Sequence, residues 1–310
     1  MSDVARSGRS TVTLRPVGDD DVAVVTSVIE AQDVAWWGEP DGDADDTRLE
    51  FDRVRLASGS LGAGGRLAVH DGVAVGVALA FDHGQTTLAL DPGSSASEDA
   101  LATLLEWLVA HGARRVDAPV GDLSRIAAIE RAGFVRERSS FELERPSDVT
   151  DLGEVSWPDG YVTDTFRVGV DDQDLHDMIY SVWTDVPGHT HRPLAEWRTL
   201  LLGGASFDPS LVVLVRRLAD AVPGRIAGVA VCRTAPGGVG WVNQLAVGRP
   251  DRGVGLGRAL LVEGFRRLAA RDGVTLLGLG VEAENATALG LYRSVGLDVA
   301  REFIHFSSSS

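Results

Sequence analysis

The chain has 310 residues, 44% hydrophobic and 24% charged, which is a globular balance and enough length for two domains. Its formal net charge is −16, all 29 basic residues are arginine, and it has a single cysteine, Cys232. These exclude a basic nucleic-acid face, an internal disulfide, Schiff-base chemistry on lysine and a Walker A phosphate loop. No run approaches 18 apolar residues and the first residues lack an apolar leader core, so the expectation is a cytoplasmic protein with no membrane partner. Charge is uneven: residues 1–155 carry a net −14 and residues 156–310 a net −2. A polyanionic ligand therefore suits the second half better. The acidic half is a solubilising surface or a field that steers a cationic substrate.

In chain order, the first half offers strands at 12–15, 66–70, 73–81 and 86–90, with helices at 20–32, 47–57 and 96–111. Residues 145–161, rich in Pro, Asp, Ser and Gly, read as a hinge. The second half then reads as a strand at 163–168, helices at 173–184 and 194–202, and strands at 211–217, 225–234 and 241–247. It closes with a helix at 258–271, a strand at 274–281, a short helix at 285–294 and a last strand at 298–307. The order β-α-α-β-β-β-α-β-α-β predicts an α/β fold with a mixed sheet flanked by helices. A weak repeat links the halves. Thr13 and Thr165 open similar segments 152 residues apart, Gly76 and Gly228 keep that offset, and Ile129 and Tyr292 sit 163 apart in IERAGF and YRSVGL. Two tandem domains follow, at 1–150 and 151–310.

The segment LAVGRPDRGVGLGRAL runs from Leu245 to Leu260, a strand end, a glycine-rich loop and a helix start. Such a loop presents successive backbone N–H groups and a positive helix end to an anion. Gly253, Gly255 and Gly257 let a phosphate approach, and Arg249, Arg252 and Arg258 add charge. A dinucleotide fingerprint starting at Gly253 requires glycine at 258, where Arg258 stands. Downstream, VEAENATALGLYRSVGL spans Val281 to Leu297.

These two segments resemble the pyrophosphate motif R/Q-G-x-G-x-G/A and the N-x-x-A-x-x-x-Y-x-x-x-G-F pattern of GNAT acetyltransferases, with Leu297 in place of the final Phe. The tandem layout resembles actinobacterial two-domain GNAT proteins, the mycothiol synthases among them, in layout and shared motifs rather than in substrate. The resemblance implies acetyl-CoA as co-substrate, held by Leu245, Ala246, Val247, Arg252, Gly253, Val254, Gly255, Leu256, Gly257, Arg258, Asn285 and Tyr292. It implies that Asn285 meets the pantetheine arm and that Tyr292 serves the departing thiolate as an acid. Many family members carry glutamate, as general base, where this chain has Trp241. Asn243 and Gln244 on the same strand are candidates for ordering a water relay. His189, His191 and Glu282 are the open alternatives for the base, with Asp185 beside the histidine pair. That pair lacks the further ligands of a zinc site, so no metal is expected. Cys232, in an apolar strand, reads as a packing residue.

The first half departs where chemistry matters. Its loop equivalent, 88–101, has one glycine, no arginine and three acids, and Asp122 and Ile129 stand at the asparagine and tyrosine positions. It is expected to be a degenerate, non-catalytic GNAT-like domain. Residues 31–48, with Trp36 and Trp37 among acids, read either as packed tryptophans or as a surface for a cationic amine. The expected activity is acetylation of a primary amine on a small molecule, such as an antibiotic or an amino sugar, by a monomer or homodimer. Acetylation of protein N-termini or lysines, and a CoA-binding sensor without turnover, are the alternatives.

Overall fold

The computed structural model describes residues 11–183, 191–202, 207–218 and 225–308. The chain folds as two compact units, Met1–Glu137 with His305–Ser310, and Arg138–Ile304.

The first unit contains β1 (Thr13–Pro16), α1 (Val22–Trp37), α2 (Ala44–Ser58), the single turn α3 (Leu61–Gly64), β2 (Gly65–His70), β3 (Val73–Ala80) and β4 (Thr86–Leu90). It continues with α4 (Ser97–Ala110), β5 (Arg115–Pro119), α5 (Leu123–Arg131) and the first residues of β6 (Phe134–Pro146). Strands β1 to β4 form an antiparallel meander in that order. Val25, Val28, Phe51 and Val54 of α1 and α2 pack with Leu67, Val77, Leu79 and Ala89 of the strands. The helix α2 starts where Asp43 accepts from the N–H groups of Asp45 and Asp46, a side-chain cap that satisfies donors the first turn leaves open.

The second unit takes the rest of β6, then β7 (Tyr161–Thr165), α6 (Asp172–Trp183), α7 (Leu194–Leu201), β8 (Val212–Arg217), β9 (Ile226–Ala235) and β10 (Val239–Val247). It is completed by α8 (Leu256–Ala269), β11 (Leu276–Glu282), α9 (Ala286–Arg293) and β12 (Asp298–Ser308), whose last residues belong to the first unit. The sheet order is β12-β6-β11-β10-β9-β8-β7. Strands β10 and β11 run parallel, whereas β6–β11, β9–β10, β8–β9 and β7–β8 are antiparallel pairs. Helices α6 and α7 cover one face through Leu175, Ile179, Tyr180 and Trp197, against Val212, Leu214, Val229 and Val231. Helices α8 and α9 cover the other through Leu260, Leu261, Phe265, Leu289 and Tyr292. The α/β mixed-sheet class and the element order of the second half are as the hydrophobic pattern indicates.

The repeated glycines do the same work in each unit. A Cβ on Gly76 would lie 2.9 Å from Leu104 Cδ1, and one on Gly228 2.7 Å from Leu260 Cδ1. Both distances are below any real Cβ contact, so each glycine lets a helix (α4 or α8) lie close against its sheet. That shared geometry accounts for glycine at both positions.

At the start of α6, Asp171 is 2% exposed and accepts from Arg167 Nε at 2.9 Å, Arg167 Nη2 at 2.7 Å and Arg216 Nη2 at 2.8 Å. The hydrogen bonds from Arg167 come first among the causes that hold its carboxyl well below the ordinary 3.8, at about 2. The unfolded chain takes up this proton near pH ~3.9, while the folded chain keeps the charge down to about 2. The stabilisation is therefore complete above the ordinary carboxylate range and is lost as pH falls from it through about 2. Asp171→Ala leaves the buried Arg216 with Asp164 alone among the described residues, and the expected cost is about 3 kcal/mol, the low end for a broken buried pair because Arg167 is largely exposed. Urea unfolding at neutral pH and at pH 3 checks both: the mutant's deficit should be smaller at pH 3.

Candidate active site

Strand β10 is built to split from β11. The two pair only over Val239–Val242 and Leu276–Leu279, although β10 continues to Val247 and β11 to Glu282. On its other edge β10 stays paired with β9 down to Val247, with a register shift between Val242 and Gln244. Asn243 is the extra residue of that bulge. A bulge adds local twist and bends the strand, so it falls at the point where the two parallel strands part. Past it, the β11-facing backbone edge of residues 243–247 is unpaired by that neighbour, and a ligand can line it as a further strand would. Leu245, Ala246 and Val247 sit on this edge.

The loop that follows is anchored from below. Asp251 is 0% exposed and accepts from Tyr161 Oη at 2.9 Å and from Arg225 Nη2 at 2.9 Å. Burial first, and the bond to Asp251 second, raise the Tyr161 phenol above its ordinary value. Above this anchor Arg252, Gly253, Val254, Gly255 and Arg258 are exposed, Gly257 is half-buried and Leu256 is buried under the helix. Gly253 has φ 81° and Gly255 φ 91°, in the left-handed region that side chains with a Cβ avoid. Gly255 is the N-cap of α8, so no side chain caps the helix, and the first ladder bond runs from Ala259 N–H to the Gly255 carbonyl. The amides of the first turn are thus left to a ligand, at the positive end of a 14-residue helix. Arg252 Nε donates to the Val247 carbonyl oxygen at 3.1 Å, tying the loop to the split strand.

Tyr292 of α9 lies in the core on the α8 side and is 8% exposed; burial pushes its phenol up to about 12. Asn285 caps α9, its Oδ1 accepting from the Ala288 N–H at 3.1 Å. Glu282, at the end of β11, is paired with Arg138 Nη1, and its Oε2 is buried without a partner. His191 is exposed and its ring lies 4.4 Å from Tyr180 and 5.1 Å from His176. His189 and Asp185 lie outside the described residues. Among the described residues no cluster of three or more His, Cys, Asp or Glu is placed to hold a metal. Trp241 lies against β11, where a Cβ on Gly278 would meet its ring at 2.6 Å. Cys232 is 1% exposed and burial pushes its thiol up to about 12, so it is no nucleophile.

On the α6–α7 face a pocket of about 200 Å³ opens beside the bulge, lined by Ile179, Tyr180, Trp183, Arg192, Trp197, Leu200, Leu201, Asn243 and Gln244. Sequence reading found Asn243 and Gln244 but not the aromatic walls. The signal was present in the spacing of Tyr180 and Trp183, three apart on one helix and so on one face.

Residues 173–297 match the Acetyltransferase (GNAT) family. A mycothiol acetyltransferase of Kineococcus radiotolerans is 31% identical over 84% of this chain and 87% of its own length. The chain belongs to the GNAT acetyltransferase family. Another mycothiol acetyltransferase, from Thermomonospora curvata, is 32% identical over 57% of each chain, and one from Saccharopolyspora erythraea is 32% identical over 53% of this chain and 52% of its own length. The GNAT chain thus spans about half the length of these two relatives. Among solved structures, a GCN5-related N-acetyltransferase from Sphaerobacter thermophilus has TM-score 0.71 at 23% identity, covering 95% of this chain and 94% of its own. A tandem GNAT protein from the clavulanic acid biosynthesis pathway has TM-score 0.68 at 14% identity over 96% and 98%. Both likenesses extend over nearly the whole chain and are likenesses of fold. Among the described residues no helix is long and apolar enough to cross a membrane.

Proposed function

We propose that the chain transfers an acetyl group from acetyl-CoA to a primary amine of a small molecule, with residues 151–310 as the catalytic domain and residues 1–150 as a degenerate, non-catalytic one. The observation that carries this proposal is the uncapped N-terminus of α8, with Gly253 and Gly255 in left-handed conformation, next to the split between β10 and β11. The first is the shape of a diphosphate site and the second that of a slot for an extended amide-bearing arm. Arg252 and Arg258 would add charge at the diphosphate, and residues 245–247 would pair with the arm. Acetyl-CoA supplies the activated acyl group as a thioester.

The amine forms a C–N bond to the acyl carbon as the C–S bond breaks; the amine loses one proton and the sulfur gains one. No covalent enzyme intermediate is needed, because both reactants are held together. Backbone N–H groups on the free edge of β10 would stabilise the developing oxyanion. Tyr292, at about 12, lies above an ordinary thiol at ~8.5, so complete proton transfer to the sulfur is uphill. Its hydroxyl therefore serves by donating a hydrogen bond as charge builds on the leaving sulfur, and the CoA thiolate takes its proton from solvent water once it departs. With Trp241 in the usual glutamate position and Glu282 engaged by Arg138, the proton acceptor for the amine is a water held by Asn243 or Gln244, or a histidine of the 189–191 pair.

The first unit has filled its own slot. Arg125 is 3% exposed, donates to Gln32 Oε1 at 2.8 Å and to the Leu88 carbonyl oxygen, and lies 5.0 Å over the Trp36 ring. Gln32 Oε1 also accepts from the Leu90 N–H at 3.1 Å. These occupy backbone groups of β4 that a bound arm would use, as β10 is used in the second unit. Trp36 is half-buried, with a cation of its own chain over its ring.

The name of the relatives suggests an acceptor of mycothiol chemistry, which falls within the broader class of small-molecule primary amines proposed here. Thiol release from acetyl-CoA across an amine panel, with products identified by mass spectrometry, tests the proposal. Release that depends on an added amine is expected; acetyl-CoA binding with no amine-dependent release would overturn it.

A further inference from the structure

Tyr292 stands in the last turn of α9, so where its hydroxyl points depends on how that end of the helix is held. The Tyr292 carbonyl oxygen closes the turn, accepting from the Val295 N–H at 3.1 Å and from the Leu297 N–H at 3.2 Å. Gly296 lies between them at φ 78°, in the left-handed region, and Val295 and Leu297 are buried in the same core as Tyr292. A side chain from another element reaches this turn. Arg145, the penultimate residue of β6, is 7% exposed and donates from Nη1 to the Val295 carbonyl oxygen. Its Nη2 donates to the Asp148 carbonyl oxygen and to Asp151 Oδ1, each at 2.7 Å, and its Nε to the Pro146 carbonyl oxygen at 3.3 Å. Burying a guanidinium is costly unless its donors are met, and here each of the three nitrogens donates. A Cβ on Gly296 would lie 3.2 Å from Nη1, so glycine is what lets the guanidinium close on the turn. Helix α9 is thus held at both ends, by the Asn285 cap and by Arg145.

The first unit supplies an internal control. The offset of 163 that matches Ile129 to Tyr292 also matches Gly133 to Gly296. The turn after α5 closes with the same bonds, from the Ala132 N–H to the Ile129 carbonyl oxygen at 3.1 Å and from the Gly133 N–H to that of Glu130 at 3.0 Å. Gly133 has φ 94°, but nothing among the described residues lies within 4 Å of the point its Cβ would occupy. The turn therefore forms without a guanidinium on it. The unit with isoleucine at the tyrosine position lacks the anchor, and the unit with the tyrosine has it.

We infer that Arg145 is a positioning residue for Tyr292: by holding the turn after α9, it keeps the phenol hydroxyl where the leaving sulfur needs a donor. Strand β6 belongs to the first half of the sequence, while its residues from 138 onward lie in the second unit. The half without a glycine loop thus lends the catalytic unit an anchor. The inference rests on the part proposed for Tyr292 in acetyl transfer for its effect on rate, and not for the contact itself.

The chain has three tyrosines, Tyr161, Tyr180 and Tyr292, so the full chain labelled with ¹³C at the tyrosine Cζ gives one signal for each, assigned by substitution to Phe. These signals read the place of Tyr292 without turnover, and amine-dependent CoA release with calorimetry for acetyl-CoA reads the consequence. Arg145→Met should shift or broaden the Tyr292 signal and leave those of Tyr161 and Tyr180 in place. It should lower kcat by about tenfold, within the ~10²-fold that a misplacement of about 1 Å costs, and change the acetyl-CoA dissociation constant by less than about threefold. In a Tyr292→Phe background it should lower kcat no further, because two residues acting through one hydroxyl are not additive. Arg145→Lys, which keeps one charged donor, should fall between the parent and Arg145→Met in both readouts, and it carries the test alone if Arg145→Met does not fold. An unmoved Tyr292 signal, a kcat loss larger than that of Tyr292→Phe, or a loss that persists in the Tyr292→Phe background would overturn the inference. A Tyr292 signal that moves, in a chain where Tyr292→Phe leaves kcat unchanged, would uphold the anchoring and overturn the part proposed for Tyr292 instead.

Discussion

Tyr292→Phe lowers kcat by roughly 10- to 100-fold and changes the acetyl-CoA dissociation constant by less than about twofold. The magnitude is that of one hydrogen bond to a charged partner, about 1.5–3 kcal/mol, felt only when negative charge builds on sulfur. The substitution removes one oxygen from a side chain that is 8% exposed and packed in the core of α8, α9 and the sheet, so the fold is retained. The pH profile is a second readout. Burial holds the phenol at about 12, so its deprotonation contributes no alkaline limb between pH 7 and 10. Stopped-flow or steady-state rates with saturating amine, beside calorimetry for acetyl-CoA, separate the two quantities. Equal losses of kcat and of binding would mean that Tyr292 acts through packing alone.

Gly255→Val abolishes most cofactor binding, with an expected loss of about 100-fold or more in acetyl-CoA affinity. Two effects add. At φ 91° a β-branched residue is strained by about 1–2 kcal/mol, and the chain relieves it by turning the peptide units on either side. Those units carry the amides at the mouth of α8, where charge-assisted bonds to a diphosphate are each among the stronger kind. The position is open, with nothing within 4 Å of the point a Cβ would occupy, so loss of folding by collision is not expected. Near-parental melting temperature with lost binding is the predicted pair of results. Unchanged affinity would show that the diphosphate does not rest on this turn.

Much of the second unit was legible because its periodicity is clean. The runs of β8 and β9 are apolar without alternation and buried on both faces, and α8 keeps Leu261, Phe265 and Leu268 on one stripe. The helix begins at Leu256 rather than at 258, because Gly255 serves as its N-cap although glycine and arginine look like loop. The first unit was read less fully. The segment holding β5, α5 and β6 was not assigned: β6 alternates arginine and glutamate with few apolar residues, so period-2 patterning is masked by charge. In the site, the glycine loop, Asn285 and Tyr292 were visible as a motif, since backbone geometry constrains residue type there. The bulge at Asn243 was not, because a strand's register depends on its neighbour β9; the only hint is two adjacent carboxamides interrupting an apolar strand. Asp251 and Arg125 were also missed, since each takes its meaning from partners far along the chain, Tyr161 and Arg225 for one, Gln32 and Leu88 for the other.

A crystal structure of the full chain grown with coenzyme A addresses the central claim most directly. The account predicts one coenzyme A per chain, its diphosphate within hydrogen-bond distance of the N–H groups of residues 253–258 and its arm lying between β10 and β11. A diphosphate resting elsewhere, or a second molecule in the first unit with Arg125 displaced from the Leu88 carbonyl, would contradict it.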